Sequence, residues 1–441
     1  MSDQAPSKDF ATLFRNSAPY INAFRGRTFV VVFSGEALLA DNFDTLVHDF
    51  ALLHSLGIRL VLVYGARPQI DRRLQQQGLT TPLQNNVRIT DAQALQCVKE
   101  AVGSARTDIE ALLSMGLANS PMAGVRLRVT SGNFVMARPY GIRDGIDYLH
   151  TGEIRRIDAA AIHKQLDDGT IVLLAPLGYS PTGEIFNVTA ESVATATAMA
   201  LNADKLICLT EGLQIVDDQQ QPIRELSLPA TQQLLQTAAD QSEDIQHILN
   251  SAIQVCQHGV RRVHIIDRKV DGALLQELFT RDGAGTLINR DHYEDTRPAS
   301  IDDVPGILEL IKPLEQQGAL VRRSRERLET EIDKFTVVER DGMIVACAAL
   351  YPMANSSMGE LACLAVHPDY RKQGRGDALF TYIESLAKQQ HLQQLFVLST
   401  QTSHWFRERG FEPSEIDALP VERKAMYNYQ RNSKVFIKRL A

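Results

Sequence analysis

The sequence has few cysteines, and their spacing does not pair them. The five cysteines are scattered over 441 residues, are odd in number and form no CxxC motif. This pattern excludes a disulfide framework and a cysteine zinc site, and it is typical of a reduced, cytoplasmic protein. We therefore expect no metal site and a cytoplasmic location.

Long apolar runs and an excess of one charge are also missing. Runs such as 28–33 and 60–64 have the length of a strand, whereas a membrane helix needs about 20 residues. The first ten residues lack a basic segment followed by an apolar stretch, which predicts no signal peptide. The 46 Lys and Arg residues nearly balance 53 Asp and Glu residues, for a formal net charge of -7. This balance predicts no general attraction to nucleic acid or to a membrane surface.

The first 290 residues have the pattern of an α/β domain, in a chain long enough for two or three domains. Strongly apolar runs alternate with amphipathic helical stretches such as 43–56 and 190–201. Such an alternation favours a largely parallel sheet with helices on both faces. The predicted strands are 28–33, 59–65, 170–178, 205–212 and 261–267.

A second region begins after the segment 289–298, which is polar and ends in proline. This segment is typical of a linker or of the start of a new domain. The pattern that follows predicts a helix at 301–317, three strands in FTVVER, MIVACAALYPM and ELACLAVHP, a helix at 376–390, and strands in QLFVLST and KVFIKRL. The order again indicates an α/β domain.

The strongest chemical signal is R-x-x-G-x-G, formed by Arg371, Gly374 and Gly376 between a strand and a helix. The backbone N–H groups and the positive dipole end at a helix start favour a bound anion. Glycines let the backbone approach a phosphate closely. A dinucleotide-binding fold is disfavoured because it requires G-x-G-x-x-G in a βαβ unit.

These motifs make residues 296–441 similar to the GNAT superfamily of N-acyltransferases. The resemblance implies acetyl-CoA as co-substrate and no metal. It also implies that the strand before the glycine loop separates from its neighbour to admit the thioester. The backbone amides of this strand at Leu364, Ala365 and Val366 would then polarise the acetyl carbonyl. The pyrophosphate would lie on the loop formed by Arg371, Lys372, Gln373, Gly374, Arg375 and Gly376.

Acyl transfer to an amine needs a base for the amine proton and donors for the developing oxyanion. Glu360, four residues before Leu364, is the predicted base, acting directly or through a water; the alternative is a surface glutamate. Many members of the superfamily protonate the thiolate with a tyrosine four residues before a Gly-Phe pair, but Phe406 occupies that position. Ser399 is the substitute candidate for the acid, and its alternative role is a helix cap.

The first region resembles the amino-acid kinase family, whose segments it repeats in order: VVVFSGEAL, LVYGARPQI, SGNFVMARP, GEIRRID, LAPLG, FNVTAES and LTEG. The resemblance implies an αβα sandwich with a mainly parallel sheet. The catalytic parts differ, since Val32 stands at the lysine position, Ser34 replaces a glycine, and Tyr64, Ala66 and Arg67 interrupt a glycine loop. Loss of the lysine removes a main stabiliser of a transferring phosphoryl group. We predict a regulatory domain that does not phosphorylate.

The two domains in this order are similar to a family of bacterial glutamate N-acetyltransferases. The resemblance implies acetyl transfer from acetyl-CoA to the α-amine of L-glutamate, as the first step of arginine biosynthesis, with feedback inhibition by L-arginine at the kinase-like domain. It implies a ring-shaped homo-oligomer, with a hexamer as the candidate size, joined through a helix at 17–27. The predicted organisation is an N-terminal arm at 1–27, a kinase-like domain at 28–288 and a GNAT domain at 296–441.

The same resemblance suggests effector and substrate residues. L-Arginine would bind beside the segment 274–286, with its guanidinium on Glu277, its carboxylate on backbone groups of Gly283 and Gly285, and a further contact from Tyr20. The alternative for Glu277 is a solvated helix residue. Glutamate has two carboxylates and needs cationic partners. The candidates for that role are Arg323, Arg431 and Ser433.

Three other functions remain open at this stage. The first is an active acetylglutamate kinase with an acyl-CoA sensor attached, which the missing lysine disfavours. The second is a regulator without enzymatic activity, which a base beside an intact R-x-x-G-x-G motif disfavours. The third is acetylation of another amine, such as a polyamine or a protein lysine. The sign of the arginine effect is also open, because a coupling energy is not readable from the sites alone.

Overall fold

The computed structural model describes residues 8–84, 86–116, 122–217, 219, 221–237, 243–280, 282–290, 294–340, 343–371 and 374–440. The chain divides into two compact units, residues 1–291 and 292–441. Within the described ranges, no helix has the length and apolarity needed to cross a membrane.

The first unit is built on a large, mainly parallel sheet. Its eight strands lie in the order β14-β16-β15-β13-β1-β2-β10-β5, and the pair β15–β16 is antiparallel. A smaller sheet has the order β12-β11-β6-β9. The strands are β1 Thr28–Phe33, β2 Arg59–Tyr64, β3 Leu83–Gln84, β4 Val87–Arg88, β5 Val129–Thr130, β6 Val135–Pro139, β7 Ile142–Arg143, β8 Ile146–Asp147, β9 Gly152–Ile157, β10 Ile171–Leu174, β11 Leu177–Tyr179, β12 Ile185–Asn187, β13 Lys205–Thr210, β14 Glu225–Ser227, β15 Arg262–Asp267 and β16 Thr286–Asn289.

Helices cover both faces of the large sheet, because its central strands are apolar on both sides. In β1, Phe29, Val31 and Phe33 enter one core, and Val30 and Val32 enter the other. This confirms the predicted αβα sandwich. The helices are α1 Lys8–Phe24, α2 Phe43–Ser55, α3 Arg67–Gln76, α4 Ala92–Leu113, α5 Ala159–Asp167, α6 Ala190–Ala200, α7 Leu228–Thr237, α8 Glu243–Gln257 and α9 Ala273–Phe279.

The second unit is a seven-stranded sheet in the order β17-β18-β19-β20-β21-β23-β22. The pair β20–β21 is parallel, and the other neighbours are antiparallel. Its strands are β17 Glu294–Pro298, β18 Phe335–Arg340, β19 Met343–Pro352, β20 Met358–Val366, β21 Gln394–Ser399, β22 Glu412–Ser414 and β23 Lys434–Arg439. Its helices are α10 Val304–Gln316, α11 Arg325–Thr330, α12 Arg375–Gln389, α13 Ser403–Glu408 and α14 Val421–Ala425.

Helices α10 and α12 pack on opposite faces of this sheet. Alternation along β19 sends Val345 and Ala348 toward α12, and Cys347 and Ala349 toward α10. This layering confirms the predicted α/β fold of the second region. It also brings the loop before α12 to the end of β20, where the glycine motif lies.

Two local predictions differ from the structure. The run 170–178 forms two strands in different sheets, because Pro176 lacks an N–H for the ladder and the chain turns there. The helix predicted at 17–27 begins at Lys8 and ends at Phe24. The polar segment 289–298 contributes β17, which pairs with β18 of the second unit, so of its two predicted roles the start of a new domain agrees with the structure.

Candidate functional sites

A fork between two parallel strands is the central feature of the second unit. Pairing of β20 with β21 covers Met358 to Glu360 and stops there, although both strands continue. Just beyond, Cys363 has φ +53° and the β19–β20 register shifts, so that two residues of β20 face one of β19. A bulge of this kind bends a strand and redirects its amides. Leu364, Ala365 and Val366, the predicted oxyanion donors, lie on this separated part of β20.

The loop after β20 leads into the start of α12. Gly374 is the N-cap of that helix and has φ +75°, a left-handed conformation that favours glycine. The Arg371 side chain is exposed, and its Nε donates to the carbonyl of Val366 at 3.3 Å. A Cβ on Gly376 would contact Trp405 at 3.4 Å, an ordinary distance, so its surroundings in the protein do not require glycine. The predicted contacts Lys372 and Gln373 lie outside the described residues.

The Arg375 side chain turns back onto Tyr370 of the same loop and away from solvent. Its side chain is buried, Nη1 donates to the carbonyl of Tyr370 at 3.4 Å, and its guanidinium lies 4.8 Å from the Tyr370 ring centre. The sequence alone suggested a phosphate contact for this residue. Its backbone N–H lies in the first turn of α12, where the positive end of the helix dipole favours an anion.

We expect Gly374→Ala to weaken coenzyme A binding about tenfold. A left-handed conformation costs a residue with a Cβ about 1–2 kcal/mol, and relief of that strain would shift the first turn of α12. The dissociation constant for coenzyme A, measured by calorimetric titration, checks this. Gly410→Ala is the matched control, because Gly410 has φ +82° at the end of α13. Equal affinity in all three proteins would contradict this role for Gly374.

Glu360 lies at the point where the strands part. It is buried, and its two carboxylate oxygens accept hydrogen bonds from Arg423, at 2.6 Å from Nε and 3.0 Å from Nη2. Arg423 is 63 residues away in sequence and lies on the short helix α14. Sequence reasoning missed it, because nothing in the local sequence marks it as a partner of β20.

Ser399 lies on the other branch of the fork, at the end of β21. Its Oγ accepts a hydrogen bond from the backbone N–H of Thr402 at 3.1 Å and lies 2.9 Å from Thr402 Oγ1. The hydroxyl therefore bonds the turn before α13 but does not cap the helix, whose N-cap is Thr402. Its place on the fork also leaves it a candidate donor to a leaving group there.

Two arginines provide cationic groups that are not fully bonded. The Nε atoms of Arg323 and Arg431 are buried and have no hydrogen-bond partner among the described residues. Nη2 of Arg431 donates to the carbonyl of Ala319 at 2.6 Å. Burial lowers the pKa of Arg431, and the charges of Arg323 and Arg423 lower it further. Arg323 and Arg423 thus each lie within electrostatic reach of Arg431, an arrangement that favours an anionic ligand.

Arg323 also faces groups of the β19–β20 region. Burial opposes its charge, but Cys363, Tyr351 and Glu331 outweigh that and raise its pKa. Ser433, the third predicted substrate contact, is buried, and its carbonyl accepts from the Tyr427 hydroxyl at 2.6 Å. Tyr351 and Glu331, which share a 2.6 Å hydrogen bond, were not foreseen from the sequence.

In the first unit, Glu277 is a buried structural group and not a solvated helix residue. Its Oε2 accepts from the backbone N–H groups of Ala284 at 2.7 Å and Gly285 at 2.8 Å. A Cβ on Gly283 would lie 2.4 Å from the same oxygen, and one on Gly285 would lie 2.3 Å from a carbonyl of β15. The glycines thus let this loop fold around the carboxylate.

Glu277 is the end of a buried polar chain. Its Oε1 lies 2.7 Å from Nδ1 of His264, and Nε2 of His264 lies 2.9 Å from the ammonium of Lys205. Burial and Lys205 lower the pKa of His264 to about 4. A neutral imidazole fits both contacts, because its Nδ1–H donates to Glu277 while Nε2 accepts from Lys205. The Lys205 ammonium also lies 4.8 Å from the ring centre of Phe24 in α1.

Tyr20, the remaining predicted effector contact, lies on α1 and packs partly buried against the core, 6.1 Å from the Phe24 ring. Helix α1 is joined to α9 by Ser17, whose hydroxyl donates to the carbonyl of Phe279 at 2.9 Å. The structure therefore brings Tyr20, Glu277 and the glycine loop into neighbouring elements of one unit. His264 and Lys205 were missed, although a histidine in an apolar strand is a visible signal.

The His264 pKa predicts a stability that falls with acid. The folded protein holds this proton more weakly than the unfolded chain, so stability is full above pH 6.5 and is lost as pH falls toward 4. The loss of folding free energy attributable to His264 is about 2 kcal/mol at pH 5.

Thermal unfolding measures this effect. Between pH 7 and 5 the stability of His264→Gln should decrease less than that of the wild type. His258→Gln, which alters an exposed histidine, should retain the wild-type decrease. Equal decreases in the wild type and His264→Gln would show that His264 is not the source of the stability lost in acid.

The glycine-loop region of the first unit does not have the groups of a phosphoryl-transfer site. Val32 is buried in the core beneath the loop. A Cβ on Gly35 would lie 2.4 Å from the Gln69 side chain, which itself donates to the Gly35 carbonyl at 2.7 Å. Ser34 bonds Glu211, whose carboxylate is held at both oxygens by Arg268. Protein side chains thus fill the space where phosphates would need backbone amides.

Comparison with known proteins agrees with both units. The model of the amino acid kinase family matches residues 27–267, and that of the acetyltransferase (GNAT) domain matches residues 331–413. Amino-acid acetyltransferases of Ectopseudomonas mendocina and Azotobacter vinelandii are each 57% identical to this chain, over 98% of it and over their full length.

A solved structure is similar over the whole chain. The N-acetylglutamate synthase of Neisseria gonorrhoeae, complexed with coenzyme A and L-arginine, is 39% identical with a TM-score of 0.90, and the match covers 98% of this chain and 99% of that one. The same enzyme complexed with coenzyme A and N-acetyl-glutamate matches with a TM-score of 0.63. The chain therefore belongs to the amino-acid acetyltransferase family and carries an amino acid kinase family domain followed by a GNAT acetyltransferase domain.

Proposed function

We propose that this chain transfers acetyl from acetyl-CoA to the α-amine of L-glutamate, as the first step of arginine biosynthesis. The observation that carries the proposal is the fork between β20 and β21, with Glu360 at its apex and no pairing between these two strands beyond it. Such an opening admits a thioester between two strands. The arginines near β20 favour an acceptor with carboxylates over a polyamine, which would need acidic partners.

The reaction removes two protons from the nitrogen and adds one to the sulfur, around one carbonyl addition. Glu360 takes a proton from the acceptor ammonium, and the free amine attacks the acetyl carbonyl. Backbone amides of residues 364–366 stabilise the oxyanion. As the intermediate collapses, the C–S bond breaks and the thiolate takes a proton from its donor. The second proton that the nitrogen loses replenishes this donor. Ser399 is our candidate for that donor, with Arg323, Arg431 and Ser433 holding the acceptor.

Thiol release from acetyl-CoA tests the proposed function. We expect release with L-glutamate, and little with spermidine or with a lysine side-chain amine. Release with another amine and none with L-glutamate would overturn the substrate assignment. Formation of ADP from ATP with N-acetylglutamate is expected to be absent, because Gln69 and Arg268 occupy the glycine-loop region. N-acetylglutamate-dependent ADP formation would restore the kinase alternative.

We also propose that L-arginine inhibits the enzyme at the kinase-like unit, beside Glu277 and the loop at 283–285. Support comes from the concentration of polar groups there, with Lys205, His264 and Glu277 linked in a chain under α1. The carboxylate already accepts two backbone amides, so a guanidinium would have to use its remaining lone pairs. Thiol release should fall when millimolar L-arginine is added.

A cytoplasmic homo-oligomer completes the proposal, with a hexamer as the candidate size. Five free cysteines support the reducing location. Leu13 and Phe14 of α1 are 55% and 62% exposed, and they offer an apolar surface for a second copy. Sedimentation equilibrium measures the mass; a monomer at micromolar concentration would contradict this assembly.

A further inference from the structure

Glu360, the proposed base, is held in an ion pair. Both of its oxygens accept from one guanidinium, and the side chains of Glu360 and Arg423 are only 12% and 19% exposed. A carboxylate that takes up a proton loses the charge that holds such a bidentate pair together. Proton transfer from an amine to Glu360 therefore competes with the contact to Arg423.

The backbone around Arg423 is anchored more firmly than a five-residue helix alone would be. Leu419 before α14 and Tyr427 after it are buried in a small core with Met358 and Phe396. These two strand residues are close to Glu360, since Phe396 is its partner in β21. The carbonyl of Met426 also accepts from Nη1 of Arg423 at 3.3 Å. The guanidinium is thus positioned by packing, and separation of the pair requires a rotation of Glu360.

An acceptor with two carboxylates supplies a negative charge that can replace Glu360 as the partner of Arg423. The guanidinium of Arg423 lies within electrostatic reach of Arg431, whose buried Nε has no hydrogen-bond partner in the described part of the chain. An acceptor carboxylate drawn to this arginine cluster would therefore approach the charge that Glu360 neutralises. Exchange of one carboxylate for another conserves the ion pair on Arg423, and the α-ammonium of the acceptor replaces Arg423 as the cation beside Glu360.

We propose that Arg423 is a positioning residue that holds Glu360 until the acceptor binds. The side-chain carboxylate of the acceptor takes over Arg423, and Glu360 is then free to accept the proton of the α-ammonium. Binding of the acceptor's side-chain carboxylate to Arg423 thereby raises kcat as well as the affinity for the acceptor. This inference rests on the proposed function, because it names the step at which L-glutamate is selected.

The test compares L-glutamate with L-glutamine, whose side chain has the same shape but no charge. In the wild type, kcat with L-glutamate should exceed kcat with L-glutamine by about tenfold or more. In Arg423→Gln, kcat with L-glutamine should rise above the wild-type value, and the preference in kcat should disappear. Arg423→Lys keeps the charge and should retain part of the preference. Lys424→Gln, a change at the next residue of α14, is the matched control and should behave as the wild type.

A residue that serves only to support the fold would give a different result. Equal losses of kcat with both acceptors in Arg423→Gln, or a wild-type preference expressed only in KM, would overturn the inference and leave the proposed function intact. If Arg423→Gln fails to bind coenzyme A, Arg423→Lys decides by the same comparison. Wild-type protein without turnover on L-glutamate would overturn the proposed function itself.

Discussion

Replacement of Glu360 with glutamine is expected to lower kcat with L-glutamate by about 10²–10⁴-fold, the usual contribution of a positioned base. The amide has nearly the shape of the carboxylate but cannot accept the amine proton. The affinity for coenzyme A should stay near the wild-type value, because Glu360 lies at the opposite end of β20 from the glycine loop. Steady-state thiol release and a coenzyme A titration measure the two quantities.

The loss of kcat in Glu360→Gln should also depend on pH as expected when a catalytic base is removed. Raising the pH supplies more free amine from solution, so kcat of Glu360→Gln should rise with pH more steeply than that of the wild type. Glu384→Gln is the matched control, since Glu384 forms an ion pair with Lys438 on the same unit, away from the fork. A kcat for Glu360→Gln within threefold of the wild type would contradict the assignment, and a loss that does not change with pH would indicate a role in folding only.

The second large effect is expected when Arg431 is replaced. Arg431→Gln should raise the KM for L-glutamate about 10–100-fold, because a hydrogen-bonded charge pair contributes about 1.5–3 kcal/mol. Its buried Nε has no partner among the described residues, so a ligand carboxylate would satisfy a group that the protein leaves unbonded. The KM for acetyl-CoA should change little. Initial rates with each substrate varied in turn measure both constants.

Arg439→Gln provides the comparison for Arg431. Arg439 is exposed at the end of β23, in the same unit, and its replacement should leave the KM for L-glutamate unchanged. A small effect of Arg431→Gln, similar to that of Arg439→Gln, would remove Arg431 from the acceptor site. A rise confined to the KM for acetyl-CoA would place it beside the cofactor instead.

The elements with strong apolar patterns were predictable from the sequence. The run TFVVVF became β1, buried on both faces, and the stripe after Gly376 became α12 packed on the sheet. These patterns are predictable because burial of alternate or helically spaced side chains dominates local folding. The family motifs added the order of the two units, which composition alone does not provide.

The local geometry of the fork was not predictable in the same way. The run ELACLAV indicates a strand, but nothing in it shows that Cys363 adopts φ +53° or that β21 separates after Glu360. Long-range polar contacts were missed for a related reason. The pair of Glu360 with Arg423 and the contact of His264 with Lys205 join residues that are 63 and 59 positions apart. Sequence spacing contains no signal for such partners.

The most direct test of the central claim is identification of the product. Wild-type protein is incubated with acetyl-CoA and L-glutamate, and N-acetylglutamate and free coenzyme A are quantified by mass spectrometry. The account predicts one N-acetyl-L-glutamate for each coenzyme A released, and slower formation of both when L-arginine is present. Release of coenzyme A without N-acetylglutamate, or acetyl appearing on another amine in preference to L-glutamate, would contradict it.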